Sequence, residues 1–97
     1  MYNAETALAL LKARMDRAGM DVPAPLTQYW EARIAAAGMD LEKKGIHLQD
    51  TADDNVLVAD LAAYQSANRD NDTGMPAWLR LKIRERWVQE RGETDGA

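Results

Sequence analysis

The chain contains 97 residues, of which 46% are hydrophobic and 29% charged, and its formal net charge is −4. This length leaves room for one domain, and the composition excludes an intrinsically disordered chain. Cysteine is absent, which excludes disulfide bridges and thiolate metal sites. No apolar run approaches the ~18 residues of a membrane-spanning helix, and the first five residues do not resemble a signal peptide.

The first predicted helix covers residues 3–18. Asn3 is a typical N-cap, and Gly19 is a typical residue just beyond a helix C-terminus. Between them, apolar residues recur at steps of three and four, which is the spacing of one helical face. A connection containing two prolines follows, because proline cannot continue the helix that precedes it.

The second predicted helix covers residues 26–44. Pro25 is well placed at its first position, and Gly45 is well placed to end it. Gly38 lies inside this helix and weakens it by about 1 kcal/mol relative to alanine, so we expect a bend or a close contact there. Residues 46–50 alternate between apolar and polar types and form a connector.

The third predicted helix covers residues 51–68, with Thr51 as its N-cap and two aspartates in its first turn. Apolar residues occupy nearly every side of this helix: Val56, Leu57, Val58, Ala59, Leu61, Ala62, Ala63, Tyr64 and Ala67. A helix that is apolar all round is a buried helix. The sequence therefore predicts an all-α fold, a small bundle of about four helices with a buried central third helix.

The fourth predicted helix covers residues 76–91 and carries two apolar stripes. One consists of Leu79, Ile83 and Trp87, and the other of Trp78, Leu81 and Val88, with Arg80, Arg84 and Arg91 in the strip between them. One stripe serves the core of the domain. The second either packs inside the same chain or requires another surface to bury it. Residues 92–97 are small and acidic and are predicted to be a flexible tail.

Asp60 is a polar residue in an apolar setting, because it falls between Val56 and Tyr64 on the helical wheel. A buried carboxylate needs a paired charge, and Arg80 or Arg84 is the expected partner, within the chain or across a subunit boundary. The alternative is that Asp60 reaches a solvent-filled seam.

No set of residues combines into an active site. His47 and Ser66 are the only residues of their types and have no catalytic partners nearby, and the Asp70–Gly74 turn fails the EF-hand pattern because its sixth position is Met75. We therefore expect no enzyme activity, no cofactor and no metal. The basic fourth helix leaves open a different function, that of a small helical DNA-binding protein such as a regulator or a packaging subunit.

The segment from Thr51 to Trp87 resembles the small head–tail connector, or adaptor, proteins of tailed bacteriophages. The resemblance rests on the run Leu57-Val58-Ala59-Asp60-Leu61-Ala62-Ala63-Tyr64, followed by Arg69-Asp70, Gly74-Met75-Pro76 and Leu79-Arg80. The upstream helix, which ends in Lys43-Lys44-Gly45-Ile46, is also similar. The sequence departs from the family pattern at residues 77–78 and 84–85.

The resemblance implies that residues 1–91 form a single helical connector domain. It implies a homo-oligomeric ring beneath the portal protein at the head–tail junction of the virion, assembled in the host cytoplasm. Such a ring extends the DNA channel, through which DNA passes without specific readout, and docks the next head-completion or tail protein. The expected subunit interface is Trp78, Arg80, Leu81, Arg84 and Val88. The arginines would meet acidic residues 50–54 of a neighbouring copy, because residues 50–75 are acidic and residues 76–91 are basic.

Overall fold

The protein is described by a computed structural model that covers residues 1–15, 23–67 and 75–95. These residues form four α-helices and no strand: α1 (Ala4–Arg14), α2 (Ala24–Lys43), α3 (Ala52–Ala67) and α4 (Ala77–Asp95). The predicted all-α fold with four helices is confirmed. Residues 16–18, which were assigned to the first helix, and the polar turn at residues 68–74 lie outside the described residues.

Local capping explains where α1 begins. Oδ1 of Asn3 accepts a hydrogen bond from the backbone N–H of Thr6 at 3.0 Å, as expected for an N-cap. The backbone N–H of Asn3 also donates to Oδ1 of Asn55 at 2.8 Å, which ties the start of α1 to α3. Ala7 and Leu11 are fully buried and form the face of α1 that packs on the core.

Two glycines shape α2. A methyl group on Gly38 would lie 2.5 Å from Cε1 of Tyr2, so the expected close contact is with this ring. Gly45 has φ +93°, and the N–H groups of Gly45 and Ile46 bond back to Glu42 and Leu41. This Schellman arrangement ends α2 where the sequence predicted. The helix begins at Ala24, which makes Pro25 its second residue.

α3 is the central helix, as predicted. It packs extensively against α1 and α2, and it carries α4 on another side. Oγ1 of Thr51 caps its first turn by accepting from the N–H of Asp54 at 3.2 Å. Its buried apolar residues are Leu57, Val58, Ala59, Leu61, Ala62 and Ala63. The central position follows from these residues, because a helix apolar on most sides must be covered on most sides.

α4 is longer than predicted, because it continues to Asp95 rather than ending at Arg91. The flexibility of residues 92–97 stays a prediction. Gly92 lowers helix stability by only about 1 kcal/mol, and no proline follows to block the next turn. A helix that is already four turns long can therefore extend through Gly92. Gly96 and Ala97 lie outside the described residues.

Candidate assembly surface on helix α4

α4 docks on α3 through a narrow apolar contact. The carbonyl of Pro76 accepts from the N–H groups of Leu79 and Arg80 at 3.1 and 3.0 Å, which starts the helix. Leu79 is fully buried and Ile83 is 8% exposed, whereas most other described side chains of α4 are exposed. One of the two predicted apolar stripes, represented by Leu79 and Ile83, therefore serves the core.

Asp60 is buried and paired, but its partners differ from the prediction. Its carboxylate lies 3.3 Å from Nη1 of Arg14 on α1 and 3.2 Å from Nζ of Lys82 on α4. Arg80 is exposed and does not contact Asp60. Within the chain, the pairing of Asp60 with Arg80 or Arg84 was therefore wrong, and a pairing across a subunit boundary stays a prediction.

Helical geometry explains the error. Residues two apart on an α-helix are separated by about 200° around the helix axis. Lys82 therefore faces α3, whereas Arg80 faces outward. The second partner, Arg14, comes from the opposite end of the sequence and occupies the junction between α1 and α4. Its guanidinium also lies over the ring of Trp78, 5.4 Å from the ring centroid.

A second charged cluster anchors the middle of α4, and its centre is Arg86. Nε and Nη2 of Arg86 donate to the two carboxylate oxygens of Asp54 at 2.8 and 3.2 Å. Its Nη1 and Nη2 groups also donate to Glu90 and to the carbonyl of His47, each at 2.9 Å. Nδ1 of His47 lies 2.5 Å from the other oxygen of Glu90. These bonds thus tie α4 to α3 and to the segment between α2 and α3.

The charges in this cluster stabilise one another. Hydrogen bonding to Asp54 raises the pKa of Arg86 above its ordinary value, against the opposing effect of burial. The hydrogen bonds from His47 and Arg86 lower the pKa of Glu90 below its ordinary value. Bidentate geometry and low exposure, 12% for the Arg86 side chain and 5% for Asp54, distinguish this pair from a surface salt bridge.

Sequence reasoning missed this cluster, although a signal existed. Arg86 lies seven residues after Leu79 and three after Ile83, which places it on the buried face of α4. Asp54 was assigned to dipole stabilisation and to a neighbouring copy. Instead its Oδ2 also accepts from the N–H of Gln49 at 2.8 Å, so this carboxylate is fully engaged within the chain. Of the acidic residues expected to meet a neighbour, Asp50 and Asp53 remain exposed.

The other predicted stripe is exposed. We call Trp78, Leu81 and Val88 the outer stripe; their exposed fractions are 44%, 55% and 54%. Leu81 and Val88 lie one above the other on the side of α4 that faces away from the bundle. Within the described residues, the interpretation that this stripe packs inside the same chain is therefore wrong. Exposure of a single large apolar residue is ordinary, but exposure of three in a row is not.

A separate groove runs between α4 and the C-terminal end of α2. Its floor is apolar and its rim is basic, and we call it the basic groove; its residues are Lys44, Met75, Arg80, Ile83, Arg84 and Trp87. Its volume is about 540 Å³. Arg80 and Arg84, which were predicted to belong to the subunit interface together with the outer stripe, line this groove. Their place in a subunit interface stays a prediction.

No other chemistry stands out in the described ranges. His47 is exposed and serves α4 docking through Glu90. Within residues 1–15, 23–67 and 75–95, no group of His, Cys, Asp and Glu side chains is arranged to hold a metal ion, and no helix is long and apolar enough to cross a membrane. That the protein is not an enzyme stays a prediction.

No protein-family model matches the chain, and neither a curated protein nor a solved structure is significantly similar to it.

Proposed function

We propose that the protein is a structural head–tail connector of a tailed bacteriophage. In this proposal it forms a ring beneath the portal protein, extends the DNA channel and docks the next head-completion or tail protein. DNA passes through the ring without specific readout, and the mature location is the head–tail junction of the virion. The sequence resemblance across residues 51–87 supports this family, and the exposed surface of α4 supports a role in assembly.

The observation that carries the proposal is the outer stripe. A small domain buries its large apolar residues first, because each one buried stabilises the fold by about 1.5–3 kcal/mol. Trp78, Leu81 and Val88 nevertheless remain exposed on one helix whose opposite face is docked. A row of this kind on a small protein is typical of a surface that a neighbouring subunit covers.

A head-to-tail contact accounts for the distribution of charge as well. Asp50 and Asp53 are exposed at the start of α3, and Asp53 lines a different depression on α4 from the one that Arg80 and Arg84 line. Two unlike surfaces on one chain produce a heterologous contact, which closes into a ring when the rotation between copies allows it. We therefore assign the outer stripe of one copy to the contact with the next copy. Asp53 of that neighbouring copy would lie near the edge of the contact.

The test is a double substitution on the outer stripe, Leu81→Asp with Val88→Asp. Both side chains are more than half exposed, so the variant should fold with unchanged helical content by circular dichroism. It should fail to form rings in electron micrographs, alone or on purified portal rings. The matched control, Leu81→Met with Val88→Ile, keeps the stripe apolar and should assemble like the wild-type chain.

Three results would contradict the proposal. The aspartate variant could assemble normally, which would place the interface elsewhere. It could unfold, which would place the stripe in the core of the monomer. Finally, the wild-type chain could bind duplex DNA tightly while forming no ring on any portal, which would favour the DNA-binding alternative.

A further inference from the structure

The basic groove combines apolar and cationic side chains, whereas the outer stripe is apolar only. Ile83, Met75 and Trp87 form its floor, and Lys44, Arg80 and Arg84 form its rim. Met75 is half-buried, and Trp87 is 38% exposed. Its long cationic side chains border a patch of apolar surface large enough to receive one or two side chains of another protein.

The rim charges are not neutralised within the described part of the chain. Arg86 and Lys82, on the same helix, are both engaged by carboxylates of α3, whereas Arg80, Arg84 and Lys44 have no ion pair there. Arg80 and Arg84 are also one turn apart, and like charges at this spacing destabilise a helix slightly. Among the residues that the structure describes, the helix therefore carries a positive edge without ion pairs beside an apolar floor.

Only one of these charges has an evident structural reason. Lys44 caps the C-terminal end of α2, where a positive charge favours the helix dipole. Arg80 and Arg84 lie in the first half of α4, where positive charge is not favoured by the dipole. A ligand that carries negative charge would complement these two arginines, which have no ion pair within the described residues.

We propose that the basic groove binds an acidic, amphipathic segment of a partner protein. Its large apolar side chain would pack on Ile83 and Trp87, and its flanking carboxylates would pair with Arg80 and Arg84. Duplex DNA fits less well, because its phosphate backbone makes no favourable contact with an apolar floor. A second copy also fits less well, because the carboxylates of Asp50 and Asp54 already accept hydrogen bonds within the chain, from Asn55 and Arg86.

This inference concerns a different face of α4 from the outer stripe and stands whether or not the chain forms a ring. The probe is a short synthetic peptide that contains no tryptophan and in which leucine alternates with glutamate. Its binding is measured by the intrinsic fluorescence of the protein and by the NMR signal of the Trp87 indole. Parallel titrations use the same peptide with lysine for glutamate, the same peptide with serine for leucine, and a short DNA duplex.

The glutamate–leucine peptide should bind saturably and shift the Trp87 signal, and the lysine and serine peptides should not. Arg80→Glu with Arg84→Glu should weaken binding about tenfold or more, since two exposed pairs are each reversed from attraction to repulsion. Arg80→Lys with Arg84→Lys keeps the charge and should bind within about threefold of wild type. Leu81→Ser with Val88→Ser, on the outer stripe, should leave peptide binding unchanged.

Several outcomes would overturn this inference. One is the absence of saturable binding by the glutamate–leucine peptide, and another is binding that the charge-reversed variant retains in full. Tighter binding of the DNA duplex, lost in the charge-reversed variant, would assign the groove to nucleic acid. Self-association that depends on Arg80 and Arg84 would assign it to a second copy. If the charge reversal unfolds the protein, Arg80→Gln with Arg84→Gln takes its place and should show the same order of affinities.

Discussion

Helices α1, α2 and α3, which we call the body, and helix α4 are held by different forces. The body is joined by an apolar core in which Leu11, Ile34, Leu41 and Leu61 are almost entirely buried. α4 adds little to that core besides Leu79 and Ile83, and it is anchored by charged side chains. Burial of apolar surface depends little on pH and salt, whereas ion pairs depend on both.

The difference matters for function because both candidate surfaces lie on or beside α4. Ion pairs in low-dielectric surroundings contribute little net stability, because their desolvation offsets most of their attraction. They do specify where a helix sits, since a displaced partner leaves a charge unpaired. α4 is thus positioned well but docked less strongly than the body, and elements of lower local stability are where binding and conformational change concentrate.

The sharpest test of this contrast compares two leucines that are both fully buried, Leu41 in the body and Leu79 in α4. Leu41→Ala should lower the free energy of unfolding by about 2–5 kcal/mol for the whole protein. Leu79→Ala should instead release α4, so that hydrogen exchange accelerates at α4 amides and stays slow in α2 and α3. Equal acceleration in all four helices would show that α4 unfolds together with the body.

Substitution of Arg86 tests the charged anchor. Arg86→Met leaves the buried Asp54 carboxylate without its partner and should cost about 2–3 kcal/mol in urea denaturation. The cost cannot exceed the docking free energy of α4, because undocking returns Asp54 to water. Arg84→Met, at an exposed position of the same helix, should change stability by less than about 0.5 kcal/mol. Similar losses of stability in the two variants would show that Arg86 does not anchor α4.

Asp60 should contribute less than a deeply buried pair. Its partners Arg14 and Lys82 are 45% and 43% exposed in their side chains, so removal of the carboxylate leaves cations that water can solvate. Asp60→Asn should therefore cost about 1 kcal/mol. In double-mutant cycles Asp60 should couple to Lys82 and show no coupling to Arg80. Coupling to Arg80 would restore the pairing that the sequence predicted.

The smallest expected effect is a dependence on pH at Glu90. In the folded protein the pKa of Glu90 lies below its ordinary value of 4.5. The hydrogen bond from His47 is the largest cause, and the hydrogen bond from Arg86 is the second. A group with a lowered pKa contributes stability above its unfolded pKa and loses that contribution as pH falls through the folded value. The stability difference between wild type and Glu90→Gln should therefore shrink as the pH falls below about 4.5. A difference that grows on acidification would contradict the assignment.

The elements of the fold were predictable because their signals are local. Asn3 caps α1 through a hydrogen bond three residues away, and Gly45 ends α2 through bonds to the preceding turn. The apolar residues on most sides of α3 likewise required burial wherever the other helices lay. The two stripes of α4 also followed from its wheel, but whether the second stripe was covered did not.

Contacts between helices were not predictable to the same degree. A helical wheel gives the direction of Asp60, but the identity of the helix in that direction depends on packing. Arg14 is 46 residues away in sequence and Lys82 is 22 away, and nothing local distinguishes them from the other cations. The same reason hid the pair between Asp54 and Arg86, which is 32 residues apart.

The sequence by itself determined that four helices form, where three of them are capped and that α3 is central, because hydrogen bonds and apolar periodicity act within a few residues. Only the tertiary structure decided which charges meet, that Tyr2 packs against Gly38, and that α4 leaves the outer stripe and the basic groove open. These features depend on distances between segments far apart in the chain, and those distances are set by the packing of the whole core rather than by any one stretch of residues.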